Sequence, residues 1–452
     1  MSTQPSLADA GYRRDLGDGL VLRWSTAEDL ERVARLYMRA FTPGTEPVSD
    51  WREHTWTIDM FSGRHPHIGP GDFAVVEDTH TGAAVAATCL LGNRCEFEGI
   101  AFPFGRPEMV ATLAEYRHRG LVRALFELIH ARSDGRGDLV QGITGIPYFY
   151  RLFGYEYAAT LDDGPTVYFA AVPALKPGAT EPYTLRAATP DDVPLLSRLW
   201  ARTHTDAAVW TVMEDEYWRW SMVGTHPAAL QRWYAFLIVA ADDHVVGALV
   251  IPVARWDATM SVYGPMLDDG ARMTEVLPSV LRGLQTHEPL TKPERPSAGA
   301  TAGAVTLRWC APTVRAGLGD IPYLEPPDPY AWYLRVPDLP RFLRHVAPAL
   351  ERRLAESPYA GNSGEITLDF YRGGLRLVLE DGRLVTIEDW RRPVDTESKA
   401  GFPPLVFLQM LFGHRSLREL RGMYPDVRAA GDVAPILDAL FPKRRSQLLV
   451  LD

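Results

Sequence analysis

The chain has 452 residues, 46% of them hydrophobic. That is too long for one compact core and predicts two to four domains, with three of about 150 residues the simplest division. Charged residues make up 23% and aromatics 10%, a composition that excludes wholesale disorder. With 47 Lys and Arg against 57 Asp and Glu, the net charge of −10 argues against a dedicated nucleic-acid binder and suits a protein that handles cationic molecules. Cys89, Cys95 and Cys310 form no Cys-x-x-Cys pair. This excludes a disulfide framework and a thiolate zinc site, and it points to a reducing, cytoplasmic setting. Met1 to Asp18 has no apolar signal region, and no apolar run approaches the roughly 20 residues that span a bilayer.

Taken in chain order, the first feature is a repeat. Residues 21–42 read VLRWSTAEDLERVARLYMRAFT and residues 184–205 read TLRAATPDDVPLLSRLWARTHT. At an offset of 163 the matches include Arg23 with Arg186, Thr26 with Thr189, Asp29 with Asp192 and Leu36 with Leu199. Each segment predicts a strand, a Thr-x-x-Asp helix start and an apolar helical stripe. Phe73 to Val76 and Phe236 to Val239 continue the parallel. The pattern predicts a duplicated α/β domain over roughly residues 15–165 and 180–320.

From Met109 the chain reads as an apolar strand ending near Leu113, a basic turn Arg117-His118-Arg119-Gly120, and a helix from Leu121 to Ala131. Such a turn gathers free backbone N–H groups and a helix N-terminus at one point, which suits phosphate oxygens. Downstream lies the aromatic run Gly145-Ile-Pro-Tyr-Phe-Tyr-Arg-Leu-Phe-Gly-Tyr-Glu-Tyr157. Pro173 to Pro182 reads as a linker, and residues 271–284, ARMTEVLPSVLRGL, open no helix with an Arg-x-x-Gly turn. His287 to Gly303 reads as a surface loop, and Pro326, Pro327 and Pro329 mark a second junction. Beyond it the spacing predicts an α+β unit. Its strands are Ala331–Val336, Ile366–Phe370, Leu375–Leu379, Leu384–Ile387 and Gln447–Leu451, with a helix at Leu339–Glu356 and shorter helices at Pro404–Phe412, Ser416–Met423 and Val433–Phe441.

Arg-x-x-Gly-Leu on a strand–helix turn, followed by Phe-Tyr-x-x-Phe-Gly-Tyr, resembles the GNAT superfamily of acyl-CoA-dependent N-acetyltransferases. The layout of the whole chain resembles the enhanced intracellular survival (Eis) branch. The resemblance implies an α/β (α+β) fold of tandem GNAT domains, the second degenerate, plus a C-terminal sterol-carrier-protein-like α+β domain. The spans would be 1–165, 180–325 and 330–452.

It implies acetyl-CoA as co-substrate and no metal. The strand pairing with pantetheine would be Val110, Ala111 and Thr112. The pyrophosphate turn would be Arg117, His118, Arg119, Gly120, Leu121, Val122 and Arg123, with Gly145 and Ile146 serving through backbone only. Tyr150 would be the general acid: a phenol of pKa about 10 can protonate a thiolate whose thiol has a pKa of about 8.5. The α-carboxylate of Asp452 would be the base, with its side chain as a second acid group. Phe41 and Trp51 would line the acceptor cleft, to which Asp50 and Glu53 could add charge, although both also suit a solvated helix start.

Four places depart from the family pattern. Val122 is bulky where the superfamily has Gly or Ala, though no bulkier than the Eis branch's residue, and Ile143 to Phe149 is largely apolar. An acid that some members carry after Phe41 is replaced around Pro43, and Leu451 stands where an acid is usual. The resemblance also implies a cytoplasmic homo-oligomer, with a hexamer as one arrangement, no nucleic-acid partner and no membrane span. The implied acceptor is a primary amine of a cationic small molecule, such as an aminoglycoside-like polyamine, or a lysine side chain. A non-catalytic acyl-CoA or lipid-binding protein is the alternative.

Overall fold

The computed structural model describes residues 6–41, 52–161, 164–255, 257–293, 301–308, 312–325, 331–394 and 396–449. Trp51 and Asp452 lie outside the described residues, as do Asp50, Cys310 and Leu451.

The first part runs β1 (Arg13–Gly17), β2 (Leu20–Trp24), α1 (Leu30–Phe41), α2 (Arg52–Phe61), β3 (Phe73–Asp78), β4 (Ala83–Phe97), β5 (Ile100–Thr112), α3 (Leu121–Arg136), β6 (Val140–Ile143) and β7 (Glu156–Thr160). β4 is buried at almost every consecutive position, so both of its faces are covered. The apolar sides of α1 and α3 share one core with β2 to β5.

The middle part runs β8 (Thr166–Tyr168), β9 (Tyr183–Ala187), α4 (Val193–Thr203), β10 (Val209–Thr211), α5 (Asp215–Arg219), β11 (Trp233–Ala240), β12 (Val245–Pro252), β13 (Ala254–Arg255), β14 (Thr259–Leu267), α6 (Met273–His287), β15 (Lys292–Pro293), β16 (Ala304–Arg308) and α7 (Pro312–Leu318). The last part runs β17 (Ala331–Arg335), α8 (Leu339–Ala355), β18 (Gly364–Asp369), β19 (Gly374–Glu380), β20 (Arg383–Trp390), β21 (Ala400–Gly401), α9 (Phe407–Leu411), α10 (Leu417–Met423), β22 (Arg428–Ala429), α11 (Ala434–Leu440) and β23 (Ser446–Gln447).

Among the described residues three larger sheets and the two-stranded pair β13-β15 organise these elements. The first has the order β1-β2-β3-β4-β5-β6-β17-β7, with β10 added to β4 and β23 to β10. The second is β8-β16-β14-β12-β11-β9 and the third β20-β19-β18-β21-β22. β8 follows the first part in sequence but completes the second sheet. β17 follows the second part but sits inside the first sheet, between β6 and β7.

The repeat has a structural counterpart. Thr26 with Asp29, and Thr189 with Asp192, form equivalent capping boxes. Arg23 grips Asp29 with two 2.7 Å hydrogen bonds, and Arg186 reaches Asp192 at 3.2 and 3.3 Å. Further along, the fixed offset fails. Residues 271–284 fall mostly in α6 itself, because the second copy is shorter between its long strand and its helix. The segment that links β14 to α6, as the basic turn links β5 to α3, is Asp268-Asp269-Gly270-Ala271-Arg272.

Candidate active site

β5 and β6 are parallel and pair only at Phe104 with Val140 and at Gly105 with Gln141. β5 then continues to Thr112 with β4 as its strand neighbour, and its other edge borders a cleft. Opposite Thr88 the strand bulges: Ala87 faces Ala111, Cys89 faces Glu108, and Met109 takes φ +55°. Val110, Ala111 and Thr112 form the cleft edge beyond this bulge. That edge suits the amides of a pantetheine chain.

The strand leads into the basic turn. The Tyr116 hydroxyl donates to Asp78 at 2.7 Å and anchors the segment. The Arg119 guanidinium lies over the Tyr116 ring, 5.4 Å from its centre. His118 and Gly120 take φ +64° and +74°. The first helical hydrogen bond runs from the Ala124 N–H to the Gly120 carbonyl, so the Leu121, Val122 and Arg123 amides precede it. Arg117, His118, Arg119, Gly120 and Arg123 are exposed. Positive side chains, three helix-start amides and the helix dipole therefore converge where the cleft opens. The partly buried Val122 side chain packs against the aromatic cluster that holds Phe126 and Tyr150.

Across the cleft, β6 gives way to an exposed loop from Gly145 to Tyr148, with φ +114° at Gly145 and +63° at Tyr148. A Cβ at Gly145 would stand at ordinary contact distance, 3.9 Å, from the Tyr150 hydroxyl, so it is the φ of +114° that favours glycine here. Tyr150 is 3% exposed and packs among Phe126, Phe149, Tyr155 and Tyr333. Beneath it Tyr155 donates to Gln141 at 3.0 Å and lies 3.0 Å from His130. Burial, reinforced by Arg335, lowers the His130 pKa to about 3, so this imidazole is neutral. The Ile146 carbonyl accepts from the Tyr333 hydroxyl at 3.1 Å.

On the acceptor side, Phe41 is 44% exposed at the end of α1 and stacks on Tyr37 at 5.9 Å. The Tyr37 hydroxyl is buried, and its pKa is raised by burial and by the neighbouring Cys89 and Glu108. Glu108 was not singled out from the sequence. It sits at the bulge with Arg106 at 2.5 Å. Its signal was Arg106-x-Glu108 on one face of an otherwise apolar strand. Asp59 on α2 accepts from the His226 amide at 2.9 and 3.0 Å, and burial raises its pKa to about 6.

The last described residues reach this sheet. β23 lies parallel to β10, the Leu449 N–H donates to Thr211 Oγ1 at 2.9 Å, and the Thr160 N–H donates to Ser446 Oγ at 3.0 Å. The second copy presents the opposite charge at its turn. Asp268 pairs with Arg198 at 2.8 Å and Asp269 with Arg202, so carboxylates stand where the first copy has cations.

Residues 22–158 match the acetyltransferase (GNAT) domain family. This segment is a GNAT acetyltransferase domain. No curated protein matches the chain significantly. Solved structures match it over nearly its full length. A GCN5-related N-acetyltransferase from Anabaena variabilis has TM-score 0.65 and 12% identity over 95% of this chain and 99% of that one. One from Kribbella flavida has TM-score 0.62 and 18% identity over 96% and 98%. Eis1 from Mycobacterium abscessus has TM-score 0.54 and 16% identity over 96% and 99%. At these identities the likeness is one of fold. GNAT domains use acetyl-CoA as co-substrate, and the cleft edge of β5, the basic turn and the α3 amides fit its amide and pyrophosphate groups. Among the described residues no helix is long and apolar enough to cross a membrane.

Proposed function

We propose that the protein is an N-acetyltransferase that moves the acetyl group of acetyl-CoA to a primary amine of a cationic small molecule or a lysine side chain. The amine nitrogen attacks the thioester carbonyl carbon directly, and the C–S bond breaks as the amide forms. β5 amides beside the bulge polarise the carbonyl. The amine proton goes to the α-carboxylate of Asp452, directly or through water, and Tyr150 protonates the departing thiolate. Val110, Ala111 and Thr112 hold pantetheine, residues 117–123 the pyrophosphate, and Phe41 and Trp51 line the acceptor.

The observation that carries this reading is the basic, positive-φ turn at the mouth of the β5–β6 cleft, facing Tyr150 across it. The path of the terminal strand supports the role of Asp452. In this reading the middle part is a degenerate second GNAT domain whose acidic turn repels pyrophosphate, and residues 330–452 form a sterol-carrier-like domain. The protein is taken to be cytoplasmic and homo-oligomeric. Thiol release from acetyl-CoA across a panel of amines tests the proposal. Saturable, amine-dependent release supports it. Co-purifying lipid with no turnover would favour a carrier.

A further inference from the structure

We propose that Tyr333, contributed by a strand far away in sequence, is a positioning residue for Tyr150. The inference rests on the acid role proposed above for Tyr150. β17 pairs antiparallel with both neighbours: Tyr333 faces Ile143 on β6 and Tyr157 on β7. The ladder to β7 shifts register between Trp332 and Tyr333, so that Tyr333 stands beside Tyr157. Side chains alternate along a strand. Trp332 and Leu334 enter the large core shared with the last part, whereas Tyr333 enters the small aromatic cluster of Phe126, Tyr150 and Tyr155.

There Tyr333 makes three contacts that bear on the loop and the acid. Its ring meets Tyr150 edge-on at 5.4 Å. It stacks on Tyr157 at 4.1 Å, with the two hydroxyls 2.6 Å apart. Its hydroxyl also lies 3.1 Å from the Ile146 carbonyl, while the Tyr148 N–H donates to Tyr157 Oη at 2.9 Å. Each phenol carries one proton. The Tyr333 proton is therefore shared between the Tyr157 hydroxyl and the Ile146 carbonyl, while Tyr157 also accepts from the Tyr148 N–H. Two phenols thus pin both ends of the 146–148 segment, which the positive φ of Gly145 and of Tyr148 turns toward Tyr150. Without those pins the exposed loop relaxes, and the hydroxyl of Tyr150 loses its aim across the cleft.

The test is a cycle of Tyr333→Phe, Tyr150→Phe and the double variant in the full chain, read by kcat and by KM for acetyl-CoA. Tyr333→Phe keeps the ring and the strand and removes only the hydroxyl. A fall in kcat of about tenfold is expected, with KM changed less than about twofold. No further fall is expected when Tyr150 is already Phe. Tyr157→Phe, which removes the partner hydroxyl, should reproduce the single effect. Parental kcat in Tyr333→Phe beside a slow Tyr150→Phe would overturn the proposal while leaving the acid in place. The same loss in both backgrounds would also overturn it, because the effect would not pass through Tyr150. Near-parental turnover of Tyr150→Phe alone would remove the acid itself, a separate failure seen in a single variant.

Discussion

The Trp332 indole N–H donates to the Leu448 carbonyl at 3.2 Å, both groups being buried. Trp332 also lies under Arg106, 5.6 Å from ring centre to guanidinium, and Arg106 holds Glu108 at the β5 bulge. A single indole therefore connects the segment just after β23 to β5.

That connection makes the terminus testable. Adding a C-terminal tag should lower kcat by about tenfold or more while the thermal midpoint holds. Deleting Asp452 moves the last carboxylate back by about 3.3 Å and should act in the same direction. Asp452→Ala keeps the α-carboxylate and should keep most activity. Parental turnover in the tagged and shortened enzymes would place the base elsewhere, with Glu108 the first candidate.

Thr211 tests the same strand from its partner side. Thr211→Val preserves shape but removes the acceptor for the Leu449 N–H, a bond worth about 1 kcal/mol. The denaturation midpoint should drop modestly, and kcat should fall by more than that loss explains. A variant with lower stability but unchanged kcat would make the Thr211–Leu449 contact purely structural.

Gly120→Asp should abolish acetyl-CoA binding in calorimetry without unfolding the protein. Nothing lies within 4 Å of a Cβ at Gly120, so the lesion is the φ of +74° together with a carboxylate among the phosphate-binding amides. Gly120→Ala, which adds only the strain of about 1–2 kcal/mol, should bind more weakly than the parent but measurably. Unchanged affinity in the Asp variant would move the pyrophosphate site.

These sites were unequally legible in the sequence. The basic turn was readable because everything it needs, two arginines, a glycine and a helix start, lies within a few residues. Asp268 and Asp269 were not singled out because a fixed offset, which led to residues 271–284, does not survive a shortened segment. Tyr333 could not be found, since strand insertion joins residues nearly two hundred positions apart and periodicity carries no partner information. β10 escaped for the same reason, being a short strand whose pairing is wholly non-local, whereas the strand predicted over Gln447–Leu451 is described as β23 at Ser446–Gln447. Element ends shifted by the usual residue or two: the helix predicted over Leu339–Glu356 spans Leu339–Ala355, whereas the one predicted over Pro404–Phe412 shrinks to Phe407–Leu411.

Stability should fall as the pH drops from 7.5 to 6. Burial lowers the pKa of His204 and His130 to about 3 and of His414 to about 4, below the unfolded value of about 6.5. In this window the unfolded chain takes up protons that the folded chain refuses, so unfolding gains. Asp59, held up at about 6, works in the opposite sense with one proton against three. Denaturant midpoints at the two pH values check the sign, and a higher midpoint at pH 6 would contradict it.

The most direct measurement is steady-state thiol release from acetyl-CoA by the parent and by Tyr150→Phe with the same amine. A kcat lower by about 10²-fold is expected, with little change in KM for acetyl-CoA. A Phe variant that turns over like the parent would contradict the assignment of the acid at this cleft.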